Sequence, residues 1–111
     1  MADYVPRKGE LIALTFDPQS GHEQCGRRPA LVVSNDLFNK HTGLCIACPI
    51  PNTRRDFPFH VAVLPQDGVT GFVMVEQVKS IDYRARKAKR LGKASTETLE
   101  EVLSLLDACI Y

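Results

Sequence analysis

The stretch PALVVSN, residues 29–35, is a run of apolar and partly β-branched side chains between a proline and an asparagine. It is too short for an ordinary helix and lacks polar alternation, so it reads as a strand buried on both faces. Such a strand belongs at the centre of its sheet. Upstream, ELIALTFDP alternates apolar side chains and ends in Asp-Pro, which predicts a strand over residues 10–16 running into a turn, with Pro18 stopping further ladder pairing. Downstream, GLCIACPIP resumes a β pattern until Pro49 and Pro51 stop it.

Further out, FHVAVLP, TGFVMVEQ and YRARKAKRLG supply more short strands, separated by polar loops. NDLFNKHTG carries Asn35 and Asp36 before it and Gly43 after, the marks of a short helical turn or loop. From Leu99 the apolar residues Leu99, Val102, Leu103, Leu106 and Ile110 recur at three- and four-residue steps, which predicts a terminal helix. Ser95 is its expected N-cap, with Glu97, Glu100 and Glu101 near the positive end of the dipole. Many short strands followed by one amphipathic helix imply a mainly β fold: a small curved antiparallel sheet or barrel, covered at an end or edge by the helix.

The 111 residues suit one compact domain spanning residues 1–111, and an apolar fraction of 44% with 24% charged residues excludes disorder as the default. No apolar run approaches the roughly 20 residues that span a bilayer. The start MADYVPRKGE has no secretory character, so a cytoplasmic protein with no membrane partner is expected. In that compartment Cys25, Cys45, Cys48 and Cys109 are reduced thiols rather than a disulfide framework. The net charge of +1 conceals an asymmetry. Residues 79–93 hold seven basic side chains against Asp82 alone, whereas residues 97–107 hold four acids and no base. A local basic stretch of this kind attracts phosphates or an acidic peptide.

The Cys-x-x-Cys of CIAC has a zinc or redox spacing. On a strand, however, residues three apart face opposite ways, so Cys45 and Cys48 diverge into core positions. No nucleophile elbow, phosphate-cradling glycine loop or paired magnesium carboxylates are present, so an enzyme here is expected to use neither a nucleotide nor a metal cofactor. What remains is SGHEQCGRRP, residues 20–29. Gly21 and Gly26 permit a tight path that gathers His22, Glu23, Arg27 and Arg28. A carboxylate or imidazole can take the proton of a ribose 2′-OH, and a guanidinium can hold the phosphate as charge grows on its oxygens. Thr53, Arg54 and Arg55 lie in the next polar loop, and the basic segment from Lys79 to Arg90 can track a nucleic-acid backbone. The plain alternative is a solvated Glu23–Arg ion pair in an ordinary turn.

Taken together and in order, YVPRKGELI, FDPQSGHEQCGRRPALVVS, NKHTGLCIACPIP and EQVKSIDYRARKAKRLGKAS resemble the MazF/PemK family of toxin endoribonucleases across nearly the whole chain. The resemblance implies a small SH3-like barrel of five to seven strands with a terminal helix. It also implies a homodimer, and metal-independent, sequence-specific cleavage of single-stranded RNA by the adjacent 2′-OH. The products would be a 2′,3′-cyclic phosphate and a 5′-hydroxyl.

Carried over by position, the resemblance makes Glu23 the general base or a base-orienting group, and Arg28 the group that stabilises the phosphorane and can donate to the leaving oxygen, with His22 a possible helper. The family's Thr or Ser after the third-strand proline is displaced here by Ile50 and Pro51, leaving Asn52 and Thr53 as candidates for the third catalytic place. Arg27, Arg54, Arg55, Lys79, Arg84 and Arg86 are candidate RNA contacts, the last three reading equally as a solvated charged strand, and Phe57 and Tyr83 are candidate stacking platforms that read equally as core. A MazE-like antitoxin with an acidic, extended tail is the implied protein partner. The non-enzymatic alternative is a CcdB-like gyrase poison or a nucleic-acid-binding barrel of the same fold.

Overall fold

The computed structural model describes residues 4–15, 27–51, 59–64 and 68–111. Strands β1 (Glu10–Thr15), β2 (Arg27–Val32) and β3 (Cys45–Pro49) form the middle of a five-stranded sheet. Its edges are β6 (Lys79–Ile81) and β7 (Lys89–Lys93), in the order β6-β3-β2-β1-β7 with every pairing antiparallel. β4 (His60–Ala62) and β5 (Phe72–Met74) form a separate two-stranded antiparallel sheet. The chain is therefore mainly β. Among the described residues the larger sheet is not closed into a barrel.

The run PALVVSN behaves as its composition predicts, for β2 is the middle strand of five. Its alternate side chains enter two different cores. Leu31 packs with Leu11, Cys48, Ile50, Val73 and Val102 on one face, while Ala30 and Val32 pack with Ile12, Leu14, Cys45 and Ala47 on the other. Cys45 and Cys48 diverge in the same way, one to each core, which removes CIAC as a shared metal or redox pair.

NDLFNKHTG folds as helix α1 (Asp36–Thr42). The Asn35 side chain accepts from Phe38 N at 2.8 Å, and Gly43 closes the helix at φ 74°, donating its N–H to Asn39 O. Helix α2 (Thr96–Ile110) begins at the expected cap, where Ser95 Oγ accepts from Thr98 N at 3.1 Å. Leu99, Val102, Leu103 and Leu106 bury its apolar face against the first core. Ile110 departs from the expectation: it is 70% exposed, so the packed stripe ends a turn earlier.

Three further differences lie between residues 70 and 93. YRARKAKRLG is not one strand, because residues 83–87 form a turn and pairing begins only at Lys89. Asp82 creates that turn by accepting Ala85 N on its side chain and Arg86 N on its carbonyl, and Lys87 takes the left-handed φ of 52°. TGFVMVEQ gives only the three residues of β5 before a 3-10 turn (Val75–Gln77), where His60 Nε2 meets Glu76 Oε2 at 3.0 Å. β6 escapes the pattern reading altogether, being three residues long with two polar side chains. Among the described residues no helix is long and apolar enough to cross a membrane.

Candidate functional site

The antiparallel register sets Arg27 opposite Thr15, Arg28 opposite Leu14 and Pro29 opposite Ala13. Because the pleat alternates, the two neighbouring arginines leave β2 on opposite faces. Arg27 is bound back to the sheet: Nη1 donates to Thr15 Oγ1 at 2.7 Å and Nη2 to Ala13 O at 3.2 Å. The same Thr15 donates its N–H to Arg86 O at 2.9 Å, which ties the basic turn of residues 83–87 to this end of β1.

Arg28 is exposed and shares its face with Ala30, which pairs with Pro49 of β3. Beyond the end of β3 the pairing continues, as Ile50 N donates to Pro29 O at 3.0 Å. Pro51, two residues after Pro49, therefore runs alongside Arg28. Arg28, Pro29, Pro49, Ile50, Pro51 and Met74 line a narrow crevice of about 170 Å³. A larger cavity of about 630 Å³ opens beside it, bordered by both arginines, Ala13, Thr70 and the half-exposed Leu91 of the β7 bulge. Gly71 clamps the far wall of the crevice. At φ +129° it approaches the Pro51 carbonyl so closely that a Cβ would lie 2.4 Å from the oxygen.

The other expected site residues separate into groups. His22, Glu23, Asn52, Thr53, Arg54, Arg55 and Phe57 lie outside the described residues, as does Cys25. Lys79 pairs with Ala47, which pairs with Val32, so it stands four residues along β2 from Arg28 and two strands across. That is about 13 Å along the strand and about 10 Å across it. Arg84 borders a different hollow, beside Lys40 and Thr42 of α1. The structure thus brings Arg27, Arg28 and the backbone of Arg86 to one end of the sheet and leaves Lys79 and Arg84 apart from them.

For Tyr83 the structure decides between the two readings. It is 3% exposed and its hydroxyl donates to Asn39 O at 2.8 Å, so it is a core residue and not a stacking platform. Sequence reasoning missed Met74 and Gly71. The nearest signal was the Pro49-Ile50-Pro51 run, whose stiff backbone lies beside both.

This arrangement can hold a phosphate on Arg28 and an apolar, flat group beside it. The profile of the family described as "PemK-like, MazF-like toxin of type II toxin-antitoxin system" matches residues 7–110. The "Endoribonuclease toxin MazF" of Escherichia coli K12 is 38% identical over 107 residues, covering 96% of each chain. The "Endoribonuclease toxin ChpB" of the same strain is 43% identical over 108 residues, covering 93% of this chain and 92% of the relative. Among solved structures, "MazE-MazF (Form-II)" from Deinococcus radiodurans superposes with a TM-score of 0.86 at 39% identity, covering 97% of each chain. By sequence along nearly its whole length, and by a fold shared at that level of identity, this chain belongs to the PemK-like, MazF-like toxins of type II toxin-antitoxin systems.

Proposed function

We propose that this toxin is a sequence-specific endoribonuclease that cuts single-stranded mRNA without a metal ion. The observation that carries the reading is Arg28, the arginine directly before Pro29, exposed at the end of the central strand beside an apolar crevice. The relatives of similar length are named endoribonuclease toxins, and the gyrase-poison alternative is set aside.

In the reaction the 2′-oxygen bonds to the adjacent phosphorus as Glu23 takes its proton, and charge develops on the phosphoryl oxygens. Arg28 meets that charge with its donors. The bond from phosphorus to the 5′-oxygen then breaks. The leaving oxygen takes a proton delivered through Arg28, which solvent restores, giving a 2′,3′-cyclic phosphate and a 5′-hydroxyl. His22 assists proton transfer. Asn52 or Thr53 supplies a further donor to the phosphate, and Arg27, Arg54, Arg55, Lys79, Arg84 and Arg86 contact the RNA backbone. Lys79 and Arg84, being distant from Arg28, serve flanking nucleotides.

The wider proposal is a cytoplasmic homodimer of one domain whose two sheets belong to a single SH3-like barrel. A MazE-like antitoxin covers the basic surface with an acidic extended tail, in keeping with the MazE-MazF crystal structure from Deinococcus radiodurans. The test is to incubate the protein with a long, sequence-diverse labelled RNA in excess EDTA and to analyse the ends. The expected result is cutting at a short motif with cyclic-phosphate termini, and a loss of about a hundredfold or more in Arg28→Ala. No cutting by the wild type, or undiminished cutting by Arg28→Ala, would overturn the assignment.

A further inference from the structure

We infer that the crevice walled by Pro49, Pro51 and Met74 receives one unpaired nucleobase next to the phosphate held by Arg28, and that Met74 is a specificity-determining residue. The inference rests on the phosphate-binding reading of Arg28 given above.

Three observations point to a base rather than another occupant. The crevice is small, about 170 Å³, and its walls are proline rings, an isoleucine and a thioether, which suit a single planar ring. Its polar side chain is Arg28, on the same sheet face as Pro49, so an anion at the mouth and an apolar ring in the slot are bound by adjacent groups. Successive phosphates and bases of a single strand have that alternation of charge and flat apolar surface. The slot is also built to hold its shape. Pro49 and Pro51 have fixed φ, Ile50 N is bonded to Pro29 O, and the backbone of Gly71 presses on the Pro51 carbonyl.

Met74 is the wall that can vary. It lies on β5, a different sheet from the one that carries Arg28 and the prolines, and the neighbouring Val73 is fully buried in the first core. A change at position 74 therefore alters the slot without removing a core side chain. Among the described residues the walls hold no hydrogen-bonding side chain besides Arg28, and these walls discriminate among bases by ring size and stacking.

The test measures binding apart from cleavage. Fluorescein-labelled eight-residue 2′-fluoro oligonucleotides of each base, which lack the attacking hydroxyl, are titrated by anisotropy alongside an eight-residue abasic strand of the same sugar-phosphate. The wild type is expected to bind its preferred homopolymer about tenfold more tightly than the abasic strand, as one stacked base would give. Met74→Trp, which fills the slot, should bring the two to within about twofold, and Met74→Leu should restore the difference. Met74→Ala serves if the larger residue disturbs the fold; it should change the order of preference among the bases. Equal binding of abasic and base-bearing strands by the wild type would overturn the inference. So would a wild-type ratio in both Met74→Trp and Met74→Ala. Met74-dependent base preference without any cutting of RNA would instead overturn the endoribonuclease reading and leave the base slot standing.

Discussion

Arg90 donates its Nε hydrogen to Glu10 Oε2 at 2.9 Å, joining the first strand to an edge strand eighty residues later. Glu10 is 8% exposed, whereas the Arg90 side chain is 51% exposed. The carboxylate also accepts from the Tyr4 hydroxyl and, at 2.9 Å, from Arg7 N, so it organises the segment that leads into β1. The two partners are therefore unequal. Glu10→Ala strands two donors at a half-buried site and is expected to cost about 2–3 kcal/mol, while Arg90→Ala, partly in water, costs less than about 1 kcal/mol. Urea unfolding of the two variants measures the difference, and equal losses would refute it.

Asn39 is the buried polar residue that fastens α1 to the rest. It is fully buried and donates through Nδ2 to Pro6 O at 2.7 Å and Ser34 O at 3.3 Å, while its Oδ1 accepts from Ser34 Oγ. Asn39→Ala is expected to destabilise by about 2–3 kcal/mol, because the Pro6 carbonyl loses its donor inside the protein. Hydrogen exchange should show the loss as faster opening of α1 and the first described residues, with the centre of the sheet less affected.

Gly71 and Gly68 separate backbone strain from collision. Both have positive φ, +129° and +84°, but among the described residues a Cβ at 68 meets nothing within 4 Å while one at 71 strikes Pro51 O. Gly68→Ala should cost about 1–2 kcal/mol through conformation alone. Gly71→Ala should cost more than that and displace the Pro51 wall, so RNA cleavage should fall in the second variant and hold in the first. Comparable activity in both would show that the wall does not matter.

The thiols carry a pH signature. Burial pushes Cys45 and Cys48 from 9.0 up to about 12, with the negative charges of Glu76 and Cys109 adding to the rise at Cys48. At pH 8 iodoacetamide should label the exposed Cys109 and spare both buried thiols in the native protein, as read by peptide mass spectrometry. The folded state holds these protons more tightly than the unfolded chain, so their effect on stability is absent below about pH 9. Between there and about pH 12 the unfolded chain ionises first, and stability falls as pH rises. A Cys45→Ala, Cys48→Ala double variant should lose less stability over that window than the wild type.

The interior of the fold was legible because it follows local rules. PALVVSN sits at the centre for the reason its apolar run implies, and Ser95 caps α2 as its residue type favours. β6 was not legible, since three residues with two polar side chains carry no period and are held by pairing with β3. Tyr83 stayed open between stacking and core because an aromatic in a basic stretch looks the same whether it faces RNA or, as here, reaches Asn39 across 44 residues. Of the candidate site, the Arg-Pro pair drew attention to Arg28, but the crevice beside it is assembled from β2, the end of β3 and Met74 on another sheet. No single segment announces such a juxtaposition.

β2 is flanked by β1 and β3 and has a core on either face. The backbone of such a strand opens late, because it is paired on both sides and packed on both faces. On the proposed reading, the strand therefore presents Arg28 from a backbone that is paired on both sides. A cell that makes this toxin needs control from outside the fold, by an object that lies over the arginine or by destruction of the whole chain.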